Sequence, residues 1–358
     1  KPMIKVNGKF EETTFENVFD IITKKIRSVE PDENAFFAGA RLPNEEMYLV
    51  QKFARSSVKT NNIANFHYLN RGDGYKNISE SNVPFSQIKG AGKIYLLGSE
   101  INYENGVVGF MIHNTKTLYH TSVEVITDNE NDRTQNKADK VLHVKSYYYF
   151  IKAVNHFLLS NGLENSIFLN DHVKGFDEYK KKLLSQDFND LLKKSGVFFE
   201  KRLIDFAVDF NNEQKAILVF AEKNITSETA KEIFNLILIT GKLGKTSSGL
   251  ISLKEKNNSQ GLFDMGISPE NYVSGKSLND EKFMEQVKKV WGVSELSDKV
   301  NDVYKLMSDG KVKNLFIFGE DPVGCADNKN DVADLLNKSE FKVVQDYFLT
   351  DTAQLADV

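Results

Sequence analysis

The sequence predicts an α/β fold with two αβα domains and mainly parallel sheets. Short, nearly continuous apolar runs alternate along the chain with longer amphipathic stretches. Continuous apolar runs are typical of parallel strands covered on both faces, and the alternation of strand and helix favours right-handed crossovers. At 358 residues the chain is longer than one hydrophobic core usually organises, so we expect two domains.

The strands are predicted from short apolar runs and the helices from apolar residues spaced three and four apart. The predicted strands are residues 35–38, 93–97, 122–126, 140–144, 216–220, 314–318 and 341–345. The predicted helices are residues 15–28, 44–57, 146–160, 177–195, 227–238, 280–290 and 331–336. Thr13 or Thr14 is the expected N-cap of the first helix, and Asn44 that of the second.

The composition indicates a folded globular chain and excludes several classes of partner. With 41% hydrophobic residues, 26 Phe and 13 Tyr, the chain is not intrinsically disordered. A net charge of −4 provides no general basic field to hold a phosphate backbone, so no nucleic acid is expected as a partner. No apolar run reaches membrane-spanning length, so direct membrane insertion is not expected, and no signal peptide is evident at Lys1. The single cysteine, Cys325, excludes an intramolecular disulfide and a cluster held by four cysteines of this chain.

Three loops that follow predicted strands contain unusual residues. They read GSE at 98–100, TDN at 127–129 and GEDP at 319–322. Ligands of open α/β sheets bind beyond the carboxyl ends of the strands, so these loops are candidate binding positions. The alternative is that their glycine and proline residues only turn the chain.

Four blocks, in order, resemble passages of the molybdopterin oxidoreductase superfamily. The first reads FFAGARLPNEE at 36–46, followed by KTNN at 59–62, and the second reads ITGKLGK at 239–245, followed by NNSQGLFDMG at 257–266. The third reads VKNLFIFGEDP at 312–322, and the fourth reads VQDYFLTDTA at 344–353 with ADV at 356–358. By pattern, the most similar members are the large iron–sulfur subunit of NADH–quinone oxidoreductase (respiratory complex I) and, next, formate dehydrogenase catalytic subunits.

The resemblance implies a discontinuous architecture of the formate dehydrogenase and dimethyl sulfoxide reductase type. Residues 1–57 and 255–358 would form one αβα domain, split around a second αβα domain at 58–254. The family also implies an N-terminal part that carries iron–sulfur clusters and a C-terminal cap. Because neither is present and the first residue is Lys1, we expect this chain to be a fragment of a longer protein, with its clusters in the missing N-terminal part.

The positions that carry the chemistry in active members are changed here. The resemblance implies molybdenum or tungsten held between two pterin dithiolenes, often completed by Cys, selenocysteine or Ser, with a proton-handling His next in sequence. Alignment without gaps after the TNN residues places Asn70 at the ligand position and Arg71 at the His position. A neutral amide is a poor ligand and arginine does not deprotonate, whereas the nearby His67 is of a type that is more often structural. We therefore expect no catalytic residue and no metal ligand.

The passages that bind pterin in the family also depart from its pattern. The loop that packs on one pterin reads Gly98-Ser99-Glu100, so Glu100 would repel a dinucleotide unless protonated or bridged. Tyrosines 147–149 replace a glycine near the expected guanine, and at least one should turn inward. Together with Gly98, Ser99 and Glu100, the polar residues of this vestigial pocket are Asn257, Asn258, Gln260, Asp264, Asp346 and Thr352. No cofactor is expected in this chain and molybdopterin is disfavoured; the surviving polar residues could equally cap helices and tie loops together.

Two other patterns do not predict a site. The run GKLGKT at 241–246 is not a P-loop, because that motif has four residues between its first glycine and its Gly-Lys pair, and position 239 is Ile. Gly241 is expected to end a helix instead. The six histidines show no zinc-binding spacing, and Cys325 has no assignable base.

The leading hypothesis from the sequence is a non-catalytic region of the large iron–sulfur subunit of NADH–quinone oxidoreductase. It would brace the cluster-bearing part and contact other subunits of a respiratory complex, in the cytoplasm and peripheral to the inner membrane through those subunits. The alternative is a catalytic subunit of a molybdenum or tungsten bis-pterin oxidoreductase such as formate dehydrogenase.

Overall fold

The chain divides into two compact units. The computed structural model describes residues 1–69, 71, 74–79 and 81–358. One unit, here called the split unit, comprises Lys1–Arg71 and Lys256–Val358. The other, the central unit, comprises Gly72–Glu255.

The split unit is built on a four-stranded parallel sheet whose strands come from both ends of the chain. The strands of this unit, including two that lie outside the sheet, are β1 (Met3–Val6), β2 (Lys9–Glu12), β3 (Asn34–Ala38), β4 (Ile63–Ala64), β10 (Asn314–Phe318) and β11 (Phe341–Gln345). Its helices are α1 (Phe15–Arg27), α2 (Asn44–Phe53), α12 (Ser259–Asp264), α13 (Glu281–Trp291), α14 (Val303–Ser308), α15 (Lys329–Leu336) and α16 (Asp351–Gln354). The sheet order is β11-β10-β3-β4, and β1 and β2 form a separate antiparallel hairpin.

The sheet of the split unit is buried on both faces. Every residue of β3 is buried, and Phe36 stacks on Phe316 of the neighbouring β10 with ring centroids 4.7 Å apart. Phe36 lies in the apolar cluster that includes residues of α1, while Phe37 on the opposite face packs with Met307 and Leu336. Burial on both faces explains why these strands read as continuous apolar runs.

The central unit is built on a five-stranded parallel sheet. Its strands are β5 (Lys93–Leu97), β6 (Ser122–Thr127), β7 (Lys140–His143), β8 (Ala216–Ala221) and β9 (Gly249–Leu253). Its helices are α3 (Gly74–Ser79), α4 (Ile101–Glu104), α5 (Gly106–Tyr119), α6 (Tyr147–Ser160), α7 (Ser166–His172), α8 (Phe176–Leu184), α9 (Phe188–Ser195), α10 (Glu200–Asn212) and α11 (Ser227–Ile239). The strand order is β7-β6-β5-β8-β9, so the chain reverses its direction of winding between β5 and β8.

Both faces of the β5 strand are also buried in the central unit. Ile94 and Leu96 belong to the cluster that contains residues of α5, whereas Tyr95 on the other face contacts Phe206 and Phe210 of α10 at 5.2 and 5.1 Å between ring centroids. The crevice at the carboxyl ends of β5 and β8 is therefore the topological switch point, where ligands of such sheets bind.

The predicted fold class is confirmed, while several local predictions were wrong. Residues 58–71, placed in the inserted domain by the resemblance, belong to the split unit because β4 pairs with β3. Helix 177–195 is two helices, since Asp187 accepts a hydrogen bond from the Asp190 amide and starts α9 anew. The N-cap of α2 is Pro43 rather than Asn44, whereas Thr14 caps α1 through the Asn17 amide. The hairpin, the two-residue β4 and the strand β9 were not predicted, nor were the helices α3, α4, α5, α7, α10, α12, α14 and α16.

Candidate functional site

At the carboxyl edge of the split unit, an arginine joins the loops that follow three strands. Arg41 follows β3, and its guanidinium donates from Nε to the carbonyl of Gly319, 3.1 Å away, and from Nη2 to Asp346 Oδ2, 2.7 Å away. The Asp346 side chain is only 2% exposed, so its charge is balanced by Arg41 rather than by solvent. A Cβ on Gly39 would lie 2.2 Å from the carbonyl oxygen of Gly319, so this close approach of the loops after β3 and β10 requires glycine.

The next residues of the β10 loop are held by a second carboxylate. Asp321 Oδ1 accepts hydrogen bonds from the Thr352 amide at 3.0 Å, from Thr352 Oγ1 at 2.7 Å and from the Gly324 amide at 3.0 Å. Thr352 Oγ1 in turn accepts a hydrogen bond from the Val323 amide at 3.0 Å. Burial alone would raise the pKa of Asp321, but the hydrogen bonds from Thr352 and Gly324 hold it below its usual value. The predicted site residue Thr352 therefore fixes the turn at α16.

Glu320, the residue before Asp321, anchors the segment that leads toward the predicted metal-ligand position. Its Oε2 accepts a hydrogen bond from the Phe66 amide and its Oε1 one from the His67 amide, both at 3.1 Å. Burial raises the pKa of Glu320 to about 7, although both amides favour the charged form. His67 Nε2 lies 3.0 Å from Arg71 Nη1. Asn70 lies outside the described residues.

The second family passage of the split unit binds back to the loop after β3. The Asn258 amide donates to the Ala40 carbonyl at 3.1 Å, and its side-chain Nδ2 donates to the Leu42 carbonyl at 2.8 Å and to Asn44 Oδ1 at 3.0 Å. Two other predicted site residues, Gln260 and Asp264, are bonded to each other at 2.8 Å across one turn of α12.

The predicted site residues thus separate into two sets. Asn257 is exposed at the start of the second passage and contributes no contact to this network among the described residues. The structure places Asn257, Asn258, Gln260, Asp264, Asp346 and Thr352 in the split unit and Gly98, Ser99 and Glu100 in the central unit.

In the central unit, the loop after β5 lies against a side chain from beyond β8. Gly98 has a φ of +132°, and a Cβ there would lie 3.0 Å from Asn224 Oδ1. Asn224 Nδ2 is 3.4 Å from Ser99 Oγ, while Asn224 Oδ1 is buried without a hydrogen-bond partner in the described part of the chain. An unpaired buried acceptor is costly, so a ligand with an N–H or O–H group at this switch point would be stabilised.

The carboxylate of Glu100 is bridged by Arg133, which is the exception named in the expectation that it repels a dinucleotide. Arg133 donates from its amide to Glu100 Oε1 at 2.9 Å and from its guanidinium Nε and Nη2 to Oε2 at 2.8 and 2.7 Å. These hydrogen bonds lower the pKa of Glu100, so the group is ionised, but its charge is matched by the adjacent cation. The repulsion expected from an unbridged Glu100 is therefore reduced at this loop.

One of the three tyrosines turns inward, at the ends of β6 and β7. Tyr147 is 6% exposed; its hydroxyl donates to Asp128 Oδ1 at 2.7 Å and accepts from the Asp128 amide at 2.9 Å. Burial raises the pKa of this phenol. Tyr148 and Tyr149 are half-buried and lie beneath the ammonium groups of Lys152 and Lys194, at 4.9 and 5.4 Å from the ring centroids.

Sequence reasoning missed a buried ion pair at the ends of β8 and β9. Glu222 is fully buried, accepts a hydrogen bond from Ser252 Oγ at 2.8 Å and pairs with Lys254. The signal was present in the sequence, because Glu222 directly follows the apolar run of β8 and Lys254 directly follows β9. Among the described residues, no three His, Cys, Asp or Glu side chains come together in a way that could hold a metal ion.

A family model described as molybdopterin oxidoreductase matches residues 1–358. The chain belongs to the molybdopterin oxidoreductase family. Over its whole length it is 29% identical to the F420-dependent formate dehydrogenase 2 subunit alpha of Methanococcus maripaludis, of which it covers 54%. The chain thus spans about half the length of this relative.

Two solved structures share the fold. The acetylene hydratase of Pelobacter acetylenicus superposes with a TM-score of 0.68 and 16% identity over 99% of this chain and 54% of the hydratase. The formyltransferase/hydrolase complex of Methylorubrum extorquens gives a TM-score of 0.52 and 10% identity over 99% of this chain and 84% of the matched chain. In the described part of the molecule, no helix is long and apolar enough to cross a membrane.

Proposed function

We propose that this chain is part of a catalytic subunit of a molybdenum- or tungsten-dependent bis-pterin oxidoreductase of the formate dehydrogenase type. The observation that carries the proposal is the whole-chain similarity to a subunit named as a formate dehydrogenase. This reverses the order of the two hypotheses reached from the sequence, in which the large iron–sulfur subunit of NADH–quinone oxidoreductase came first.

The proposal is supported by the types of residue at the carboxyl edge of each sheet, which could bind a pterin dinucleotide. In the central unit, the buried acceptor Asn224 Oδ1 would receive an N–H of the ligand, Gly98 would admit it closely and Arg133 would offset the charge of Glu100. In the split unit, we propose that Asn258 and Asp346 lie where a second pterin would bind. The bound metal would supply the two-electron chemistry, while the residues of this chain bind and orient the group around it.

The proton-handling position of the family is occupied by Arg71 in this chain. Arg71 keeps its proton at all working pH values, but the imidazole of His67 is 3.0 Å away and is of a type that exchanges protons near neutrality. We propose that His67, held by Glu320 through its main-chain amide, takes the role that the family assigns to the next-position histidine.

A second candidate function is the non-catalytic scaffold of an NADH–quinone oxidoreductase, and two observations favour it. The ligand and proton positions have become Asn70 and Arg71. Tyr147, one of the tyrosines that replace a glycine of the family, bonds through its hydroxyl to Asp128. In that case the chain would brace cluster-bearing parts of a respiratory complex, in the cytoplasm and attached to the inner membrane through its partners. In both cases we propose other subunits as partners, in keeping with a relative named as a subunit.

Activity and metal content of the full-length complex test the proposal. We expect molybdenum or tungsten in the purified complex and formate-dependent reduction of a viologen dye. The matched variants are His67→Gln, expected to lose most of this activity, and His172→Gln, a histidine of the central unit, expected to retain it. A complex that lacks both metals and oxidises NADH but not formate would reject the formate dehydrogenase type in favour of the scaffold.

A further inference from the structure

A polar cavity lies at the amino edge of the central sheet, opposite the Gly98 loop. It has a volume of about 410 Å³ and is bounded by the loop that joins α11 to β9 and by the segment that precedes the 3₁₀ turn at Phe85–Gly90. None of the described residues that line it is acidic. Neither candidate function uses this cavity, because the cofactor positions follow the carboxyl ends of the strands.

A buried hydroxyl without a partner faces this cavity. Ser248 lines it and is only 1% exposed, yet its Oγ has no hydrogen-bond partner in the described part of the chain. The neighbouring Ser247 is fully engaged, because its amide and its Oγ bond to Gln87 Oε1 at 2.7 Å and to the Gln87 carbonyl at 2.9 Å. A buried hydroxyl left unpaired costs free energy, so an acceptor atom in the cavity would be stabilised by Ser248.

The same loop offers main-chain donors and a cation. Within the described residues, the amides of Leu243, Gly244, Lys245 and Thr246 bond to no protein acceptor, and all four residues line the cavity. Lys245 makes no ion pair with a described residue. Consecutive free amides beside an ammonium group are the arrangement that binds oxyanions in proteins.

The electrostatics of the loop have the sign that an anion requires. Lys242 is buried and donates only to main-chain carbonyls, those of Asn211 at 3.3 Å and Glu213 at 2.5 Å. Burial, and then repulsion from Lys245, lower the pKa of Lys242 to about 8. Lys242 does not line the cavity and is also influenced by the Glu213 carboxylate, but among the described residues neither lysine of this loop forms an ion pair.

We propose that this cavity binds a phosphate group, either as inorganic phosphate or at the end of a small phosphorylated molecule. Lys245, the amides of the loop and Ser248 Oγ would donate to its oxygens. The loop follows a helix and precedes β9, so this is a different arrangement from a P-loop, in which the glycine-rich turn follows a strand.

Hydrogen exchange on the full-length protein tests the site locally. Inorganic phosphate should slow amide exchange of the peptide covering residues 241–249 several-fold, compared with chloride at the same ionic strength. Glycerol phosphate tests the second source: tighter binding of the ester assigns the cavity to a phosphorylated molecule, and tighter binding of the free ion assigns it to phosphate itself. No change in this peptide with either probe would overturn the proposal.

Variants tie the response to the named donors. Lys245→Met should weaken phosphate binding, measured by calorimetry, about tenfold, the loss expected for one charge-assisted hydrogen bond. Ser248→Ala should weaken it by a smaller factor, and it provides a second test within the cavity. Lys231→Met, which removes an exposed lysine of α11, should leave binding unchanged. Equal weakening by Lys231→Met and Lys245→Met would show general charge attraction and contradict a built site.

Discussion

In the split unit, the loops beyond the strands are joined by residues that match the family passages, whereas in the central unit they are joined by residues that depart from them. Arg41 with Asp346 and Asp321 with Thr352 make the first set of bonds. In the central unit, the bonds are made by residues that differ from the family pattern. These residues occur in bonded pairs, Glu100 with Arg133 and Tyr147 with Asp128.

This difference shows how a loop can differ from the family in its residues and still have its polar groups hydrogen-bonded. The carboxylate at Glu100 is accompanied by Arg133, whose guanidinium donates twice to one of its oxygens, and the bulky Tyr147 donates its hydroxyl to a neighbouring carboxylate. Each change is thus satisfied locally, as buried or partly buried polar groups must be. A changed residue that is examined alone suggests a greater loss of function than the structure supports. The residue that bonds to it lies elsewhere in the sequence and is not seen with it.

The largest expected effect is on the matched edge of the split unit. Asp321→Ala leaves the donors of Thr352 and Gly324 unpaired, so it should lower the free energy of unfolding by about 2–4 kcal/mol. Trp291 is the only tryptophan of the chain and lies in the split unit, so its fluorescence during urea denaturation reports on this unit. Asp327→Ala, at an exposed aspartate six residues on, is the control and should change stability little. Equal effects of the two variants would contradict the role assigned to the loop.

The next effect distinguishes the two adjacent carboxylates of this edge. In the folded state the pKa of Glu320 is raised to about 7, above the usual value of 4.5. Between these two pH values the carboxyl group holds more protons in the folded state than in the unfolded state. The free energy of unfolding therefore falls as the pH rises from 4.5 to 7. Glu320→Gln mimics the protonated form and should stabilise the split unit by about 1–3 kcal/mol at pH 8, with little effect at pH 4.5. Urea denaturation followed by Trp291 fluorescence at both pH values measures this. A variant that is less stable than the wild type at pH 8 would show that the anchoring of Phe66 and His67 needs the charge.

A smaller effect is expected from the pair in the central unit. Tyr147→Phe keeps the buried ring but removes the hydroxyl that bonds to Asp128, so it should cost about 1 kcal/mol. The amide of Asp128, which donates to that hydroxyl, should exchange faster with solvent, while amides within β8 should not change. Unchanged exchange at Asp128 would show that the tyrosine does not secure this loop.

The smallest effect on stability is expected at the exposed pair. Glu100→Gln and Arg133→Met should leave the unfolding midpoint unchanged, because surface ion pairs contribute little to stability. Their effect should appear in ligand content instead: Arg133→Met leaves an unmatched carboxylate at the loop and should lower the pterin content of the full-length protein, whereas Glu100→Gln should not. Equal pterin content in both variants would remove the electrostatic role that we give to Arg133.

Much of the fold was predictable because the strands are buried on both faces and read as continuous apolar runs. The bounds of β5, β10 and β11 agree with those predicted from the sequence. By contrast, β4 has only two residues and β9 starts at a glycine, so neither has the apolar length that predicts a strand. Helix α5 begins Gly-Val-Val-Gly and has apolar residues on several sides, which hides the helical period.

The candidate site was predictable as a set of loops but not as a set of bonds. Asp346 and Thr352 were found from family passages, yet their partners Arg41 and Asp321 are 305 and 31 residues away in sequence. The bridge between Glu100 and Arg133 spans 33 residues, and no local pattern marks Arg133 as the partner. Glu320 was predicted only as a member of the candidate loop at 319–322, without a role of its own, because its burial depends on the segment at 66–67 folding over it.

Oxidised pterin released from the acid-denatured, full-length protein and measured by fluorescence tests the central claim most directly. Because the proposed enzyme holds its metal between two pterins, we expect about two pterin equivalents per chain in the wild type. A blank signal from protein that is folded and assembled with its partners would contradict the formate dehydrogenase type and leave the scaffold as the function of this chain.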